Sequence, residues 1–168
     1  MGVEMEELYA EAGCKPRLTG KYFVMKAGVI LGIAALFMLA LFIPNIIVRF
    51  VVIFGIVGML YLFPMLNIEY EYIFCDGQVD FDKIMGGARR KTMLKIDFDT
   101  VEVVAPIEAD VIQNYKNIKV KDFSSKDSSK KVYAIVGKLG EETIKILFEP
   151  TTKMIEAMWT KSPRKVQK

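Results

Sequence analysis

The chain has 168 residues, 52% hydrophobic and 26% charged, with 23 Lys and Arg against 20 Asp and Glu for a net charge of +3. That composition excludes a disordered tail and a large multidomain enzyme, and the charge is too mild to make nucleic acid the expected partner. Histidine is absent, which also excludes histidine metal sites, Ser-His-Asp and Cys-His catalysis, and imidazole switching.

Residues 1–21 read as a cytoplasmic N-terminal segment. The acidic start MGVEMEELYAEAG lacks the basic leader of a signal peptide, and Gly2 is followed by Glu6 where a myristoylation signal needs Ser or Thr. From Tyr22 to Leu66 only Lys26 and Arg49 interrupt a run of apolar residues and Gly. A bilayer crossing takes about 20 apolar residues. The run therefore predicts a transmembrane helical hairpin over 22–66, with helices near 22–43 and 46–63. Its tip falls at Pro44-Asn45, where Pro breaks a helix and Asn suits a turn.

Lys26 and Arg49 lie close enough to the helix ends to snorkel to the interface, and no Asp or Glu between Tyr22 and Ile68 offers either a buried partner. Lys15, Arg17, Lys21 and Lys26 precede or open the first span, and Lys83, Arg89, Arg90 and Lys91 follow the second, with Arg49 alone between. The positive-inside preference then places both termini in the cytoplasm of a multi-pass cell-membrane protein. Gly28 and Gly32, with Gly55 and Gly58 in the second span, are candidate helix-packing positions, chiefly for packing the hairpin against itself.

From Asn67 the pattern changes to alternation. Ile68, Tyr70, Tyr72 and Phe74 share one face and Glu69 and Glu71 the other. Asp76-Gly77 predicts a two-residue turn, and the chain returns through Val79 and Phe81 with Asp80 and Asp82 outward. Alternation recurs at Thr92, Leu94 and Ile96, at Val101 and Val103, at Ile118 and Val120, at Val132, Ala134 and Val136, and at Ile144, Ile146 and Phe148, which makes seven strands. Glu149-Pro150 ends the last, and a helix over 151–162 carries Ile155, Met158 and Trp159. A cytoplasmic domain over 67–168 follows: an all-β, seven-stranded antiparallel barrel or sandwich with a C-terminal helix, in which those three residues form a core plug or a partner groove.

Seven strands and then a helix over Asn67–Pro163 resemble the pleckstrin-homology-like (PH-like) fold in its bacterial membrane-protein form. The segments MEELYAE, NIEYEYIFCDGQVDFDKIM, VEVVAP, NYKNIKVKDFSS and ILFEPTTKMIEAM, with the two apolar spans, are similar to a family of small two-span membrane proteins of Gram-positive bacteria. The resemblance implies a bacterial cell membrane and a cytoplasmic PH-like module. It carries over no catalytic residue.

Arg89-Arg90-Lys91, after Gly86-Gly87, is the candidate contact for anionic lipid or a partner, since Arg suits bidentate phosphate contact. PH domains usually carry such cations on the first β-hairpin, which here is the acidic Asp76-Gly77-Gln78; the triplet is therefore read as electrostatic, at about 1 kcal/mol per near-surface cation. The stretch of Lys116, Lys119, Lys121, Lys126, Lys130 and Lys131, broken by Asp122, Asp127 and four serines, reads as a solvated face and lacks the aromatic platforms of a nucleic-acid binder. Asp76, Asp80, Asp82, Asp97 and Asp99 read as outer strand faces without a calcium-loop pattern, and GGARRK lacks the ending of a phosphate-binding P-loop. Cys14 and Cys75 read as two free thiols.

The expectation is a non-catalytic, membrane-anchored binding or scaffold module, with no cofactor, metal or nucleic acid. Its partners would be the bilayer, anionic headgroups, and a protein or second copy. The alternative is a lipid-facing or assembly subunit that acts through the hairpin.

Overall fold

The computed structural model describes residues 8–17 and 20–168. Gly2, Glu6 and the rest of the acidic start through Glu7, together with the Lys21 side chain, lie outside the described residues. The described chain divides into two compact units: one contains residues 8–17 with Glu69–Ile84 and Arg90–Lys168, the other residues 20–68 and Met85–Arg89.

The second unit is built on two helices, α1 (Gly20–Phe42) and α2 (Ile46–Leu62), followed by a 3-10 turn at Phe63–Leu66. Asn45 is the N-cap of α2, its Oδ1 accepting the N–H groups of Ile47 and Val48 at 3.0 and 3.3 Å, a cap worth about 1 kcal/mol. Arg49 donates to the Ile43 carbonyl at 2.6 Å across the connection. At the other end Lys26 Nζ donates to Asn67 Oδ1 at 2.6 Å, and the Gly86 N–H donates to the Asn67 carbonyl at 2.9 Å. Gly86 has φ +62°, and a Cβ there would sit 3.2 Å from the Pro64 carbonyl, so a side chain there would be strained and crowded. α1 and α2 pack on each other, yet Ala40 is the one described residue of either helix that is buried.

The first unit holds two four-stranded sheets. One runs β1 (Tyr9–Cys14), β2 (Ile68–Cys75), β3 (Gln78–Met85), β4 (Arg89–Asp97). Asp76 and Gly77 turn β2 into β3 with φ of +44° and +101°, as a tight hairpin requires. The other sheet has the order β5 (Val101–Pro106), β7 (Tyr133–Leu139), β8 (Glu142–Phe148), β6 (Lys119–Asp122). Between them Tyr72, Phe81 and Phe148 meet with ring centroids 5.6 to 5.8 Å apart, and Phe123 stacks on Phe81 at 5.1 Å. Each such contact adds to the apolar area removed from water.

Three expectations are corrected. There are eight strands rather than seven, because β1 pairs antiparallel with β2 from Tyr9↔Cys75 to Cys14↔Tyr70. Its inward residues, Ala10 and Ala12, are buried but too small to give a strong apolar alternation, and the neighbouring acids mask the rest. The domain is also not wholly antiparallel, since β6 pairs parallel with β8. The connection from β5 carries a short helix, α3 (Asp110–Gln113), whose Ile112 packs on Val103, Ala105, Ala134 and Val136. The β5–β7 side of the second sheet is thus buried on both faces, so β7 is apolar throughout Tyr133–Val136, whereas Val120 on edge strand β6 stays 50% exposed instead of facing the core. The outer edge of β5 is covered by the C-terminal segment, where Val104 exchanges hydrogen bonds with Lys165 and Gln167 at 2.7 and 2.8 Å.

The third correction concerns α4 (Thr152–Lys161), whose first turn is capped by Thr151 Oγ1. Met154 and Met158 are fully buried and Ile155 nearly so, whereas Trp159 is 41% exposed with Lys168 Nζ 4.2 Å above its ring. One residue beyond Met158 is a rotation of about 100° around the helix, which turns the indole off the core stripe. Met158→Ala is therefore expected to cost about 2 to 5 kcal/mol and Trp159→Ala less than about 1, read from denaturant unfolding of the full chain in detergent. Equal costs would contradict this assignment of the plug.

Candidate functional site

The Arg89-Arg90-Lys91 triplet opens β4, where the outer face of the first sheet carries Glu71, Asp80 and Asp82. The three cations differ in their partners. Arg89 belongs to the helical unit, its guanidinium 3.9 Å from Met65 Sδ. Arg90 belongs to the β unit, where it forms an ion pair with Glu71 and lies 3.7 Å from Asp82 Oδ2. Asp82 is only 4% exposed, and its Oδ1 is buried without a hydrogen-bond partner. Removing Arg90 would strand two carboxylates in a partly dry setting, so its first task is internal. Lys91 is exposed and has no ion pair among the described residues.

Asp76, Asp80 and Asp97 are engaged locally. Asp80 takes Lys95 at 2.5 Å and Gln78 at 2.6 Å, Asp76 takes Lys161 at 3.1 Å, and Asp97 caps the Asp99 N–H at 2.8 Å. Lys95 is held more firmly protonated than usual by its hydrogen bond to Asp80. Among the described residues no group of three or more Cys, Asp or Glu is placed to hold a metal ion.

A Cβ added at Gly28, Gly32, Gly55 or Gly58 would meet no atom within 4 Å. Gly28, Gly55 and Gly58 are exposed and Gly32 is half-buried, so each leaves open space beside its backbone. On α4, Ile155 and Met158 belong to the core, leaving Trp159 as the open apolar side chain.

Sequence patterning missed a polar cluster where β1 meets the second sheet. Cys14 Sγ lies 2.9 Å from the Tyr72 hydroxyl and 3.2 Å from the Phe123 carbonyl, to which Tyr72 donates at 2.5 Å. A lone Cys after YAEAG, opposite an aromatic alternation, was the one available signal. Burial, reinforced by the carboxylates of Glu149 and Asp122 and opposed by the Tyr72 hydrogen bond, pushes the Cys14 thiol up from its usual 9.0 to about 11. Burial raises the Tyr72 phenol as well. Cys75 is exposed, and neither thiol is bridged.

Two four-stranded sheets over an aromatic core, ended by an amphipathic helix and joined in one chain to two long apolar helices, define a PH-like module with a helical hairpin. The chain belongs to the bacterial PH-like domain family DUF6106, whose profile matches residues 6–168. That match includes β1 and both apolar helices, so the segment before the hairpin is part of the family pattern. No curated protein matches the chain, and no solved structure does.

The thiol assignment has a pH signature. Because the folded state favours the neutral Cys14 thiol, its contribution to stability is complete below the unfolded value of 9.0 and is lost as pH rises toward about 11. The melting midpoint should fall across that window, and fall less in Cys14→Ala. At pH 8 iodoacetamide should modify Cys75 and spare Cys14 until the protein unfolds; equal rates for the two thiols would contradict the burial argument.

Proposed function

We propose that this chain is a membrane-anchored, non-catalytic binding module that presents its PH-like domain at the cytoplasmic face. The observation that carries the reading is the pairing of β1 with β2 across the apolar insertion. The residues before α1 and those after α2 belong to one sheet, so both ends of the hairpin must return to the same side of any bilayer it enters. The two apolar segments, Tyr22–Phe42 and Ile46–Leu66, are 21 residues each, about 32 Å at 1.5 Å per residue, which matches a hydrocarbon core of about 30 Å. Almost none of their residues is buried within the protein, an arrangement that favours lipid as the solvent over a role as soluble core helices.

Orientation rests on the cations. Lys15, Arg17 and Lys26 on one flank and Lys83, Arg89, Arg90 and Lys91 on the other outweigh the lone Arg49, which caps the helix connection, and this balance favours the cytoplasm for the β unit. Arg89 and Lys91 then serve as topology determinants and contacts for anionic headgroups, while Arg90 holds Glu71 and Asp82. The PH-like family supports a binding or scaffold role, and the local engagement of the acids argues against a catalytic pair.

A second reading, in which the hairpin assembles with other membrane helices, is favoured by one observation: Gly28, Gly32, Gly55 and Gly58 present flat, unfilled surface. The topology is tested in intact bacterial cells with an impermeant maleimide on a chain carrying Cys14→Ala and Cys75→Ser. Asn45→Cys should label in intact cells and Ser128→Cys only after permeabilisation; the reverse pattern would invert the orientation and remove the proposed cytoplasmic role.

A further inference from the structure

The 124–131 loop of the β unit is more than a solvated face. Together with the chain leaving β1 and the start of α4 it walls a cavity of about 400 Å³, lined by Lys15, Arg17, Lys130 and Lys131 and by the carboxylates of Asp127 and Glu149. A volume of that order lies within the range of small-molecule sites, about 300 to 1,000 Å³, and exceeds what a bare ion needs.

The carboxylates are committed to holding the walls. Glu149 Oε1 accepts both the N–H and the hydroxyl of Ser125 at 2.6 Å, and the Ser125 carbonyl accepts the Arg17 N–H at 2.8 Å. Asp127 Oδ1 accepts the Ser129 N–H and hydroxyl at 3.0 and 2.8 Å, and its Oδ2 meets Arg17 at 2.9 Å. These Ser129 hydrogen bonds, helped by Arg17 and Lys130, hold the Asp127 carboxyl below the usual carboxylate range, so it stays ionised as a turn former. The cations are not committed in the same way. Lys130 and Lys131 have no ion pair among the described residues, Lys15 meets only Glu69 at 2.9 Å on the surface, and the Arg17 fork has donors beyond the one spent on Asp127.

We infer that this cavity binds a phosphate group, with Lys130 and Lys131 as point charges and Arg17 as the fork that fixes its orientation. The site lies apart from the Arg89-Arg90-Lys91 triplet, whose central cation is already neutralised by Glu71. Two sources supply such a group: a soluble phosphate ester, or a phospholipid headgroup, toward which Arg17 is placed in the chain three residues before α1 begins. The site itself does not depend on the membrane reading.

The test uses the full chain in maltoside micelles, with inorganic phosphate titrated at constant ionic strength and followed by calorimetry. Saturable binding is expected, weakened roughly tenfold or more in Lys130→Gln/Lys131→Gln, as loss of charge-assisted hydrogen bonds implies. Those two side chains support no ion pair, so the double variant should keep its melting midpoint, and Lys91→Gln should bind as the parent does. No binding by the parent, or equal binding by the double variant, would overturn the inference, as would equal weakening by Lys91→Gln. A parallel titration in phosphatidylglycerol nanodiscs distinguishes the sources: phosphate excluded from the site there identifies a headgroup as occupant, and phosphate still bound identifies a soluble ester, each presupposing the site. Because the micelle titration is blind to insertion and orientation, its failure is separable from failure of the proposed topology.

Discussion

The β1–β2 ladder is the constraint on which the remaining architecture depends. Six register pairs, from Tyr9↔Cys75 to Cys14↔Tyr70, join chain segments separated by the whole apolar hairpin. Closing a loop of that length carries a substantial entropic cost, which must be offset by the ladder hydrogen bonds and by burial of Ala10, Ala12 and Cys14 against the common core. A helical hairpin relieves part of it, because two antiparallel helices with a tight connection bring their outer ends together before the strands pair. The apolar hairpin and the β unit are therefore not modules in series; the hairpin is an insertion within a sheet.

That arrangement explains the features at the seam. β1 lies beside β2, packs on α4 and hands the chain to the loop after β6 through the Arg17–Ser125 hydrogen bond, so one short strand touches both sheets and the terminal helix. Ala at positions 10 and 12 suits a strand under a helix, where a larger residue would push α4 away, and Gly13 lets the backbone approach within 2.9 Å of the Tyr70 carbonyl, measured to where a Cβ would stand. The Cys14, Tyr72 and Phe123 cluster satisfies polar groups that this closure would otherwise strand in an apolar setting. Charge follows the same logic. Arg90 is drawn inward by Glu71 and Asp82, while cations farther along the chain remain available around the cavity beside Arg17.

What was legible in the sequence was whatever a local pattern carries. Tyr70, Tyr72 and Phe74 alternate because one face of β2 meets the core, Asp76-Gly77 supplies the positive φ of a tight turn, and the apolar run from Tyr22 to Leu66, broken at Pro44-Asn45, gives two long apolar helices. The illegible parts are non-local. Ala10 and Ala12 give no hydrophobic signal until a helix is known to lie over them. The parallel placement of β6 depends on α3 covering the second sheet, which makes Tyr133–Val136 continuous where a one-faced strand would alternate. The partner of Arg90 on β2 is 19 positions away across two turns, and the four cations of the cavity come from two segments more than 100 residues apart.

The central claim is that residues before the hairpin form an integral strand of the β unit. It is tested most directly by native-state hydrogen exchange of the full chain in detergent, following the backbone amides of Tyr9–Cys14 beside those of β2 and β3. The account predicts protection of β1 that is lost together with its neighbours, as one cooperative unit. Exchange of the Tyr9–Cys14 amides at the rate of an unstructured peptide, with β2 and β3 still protected, would contradict it.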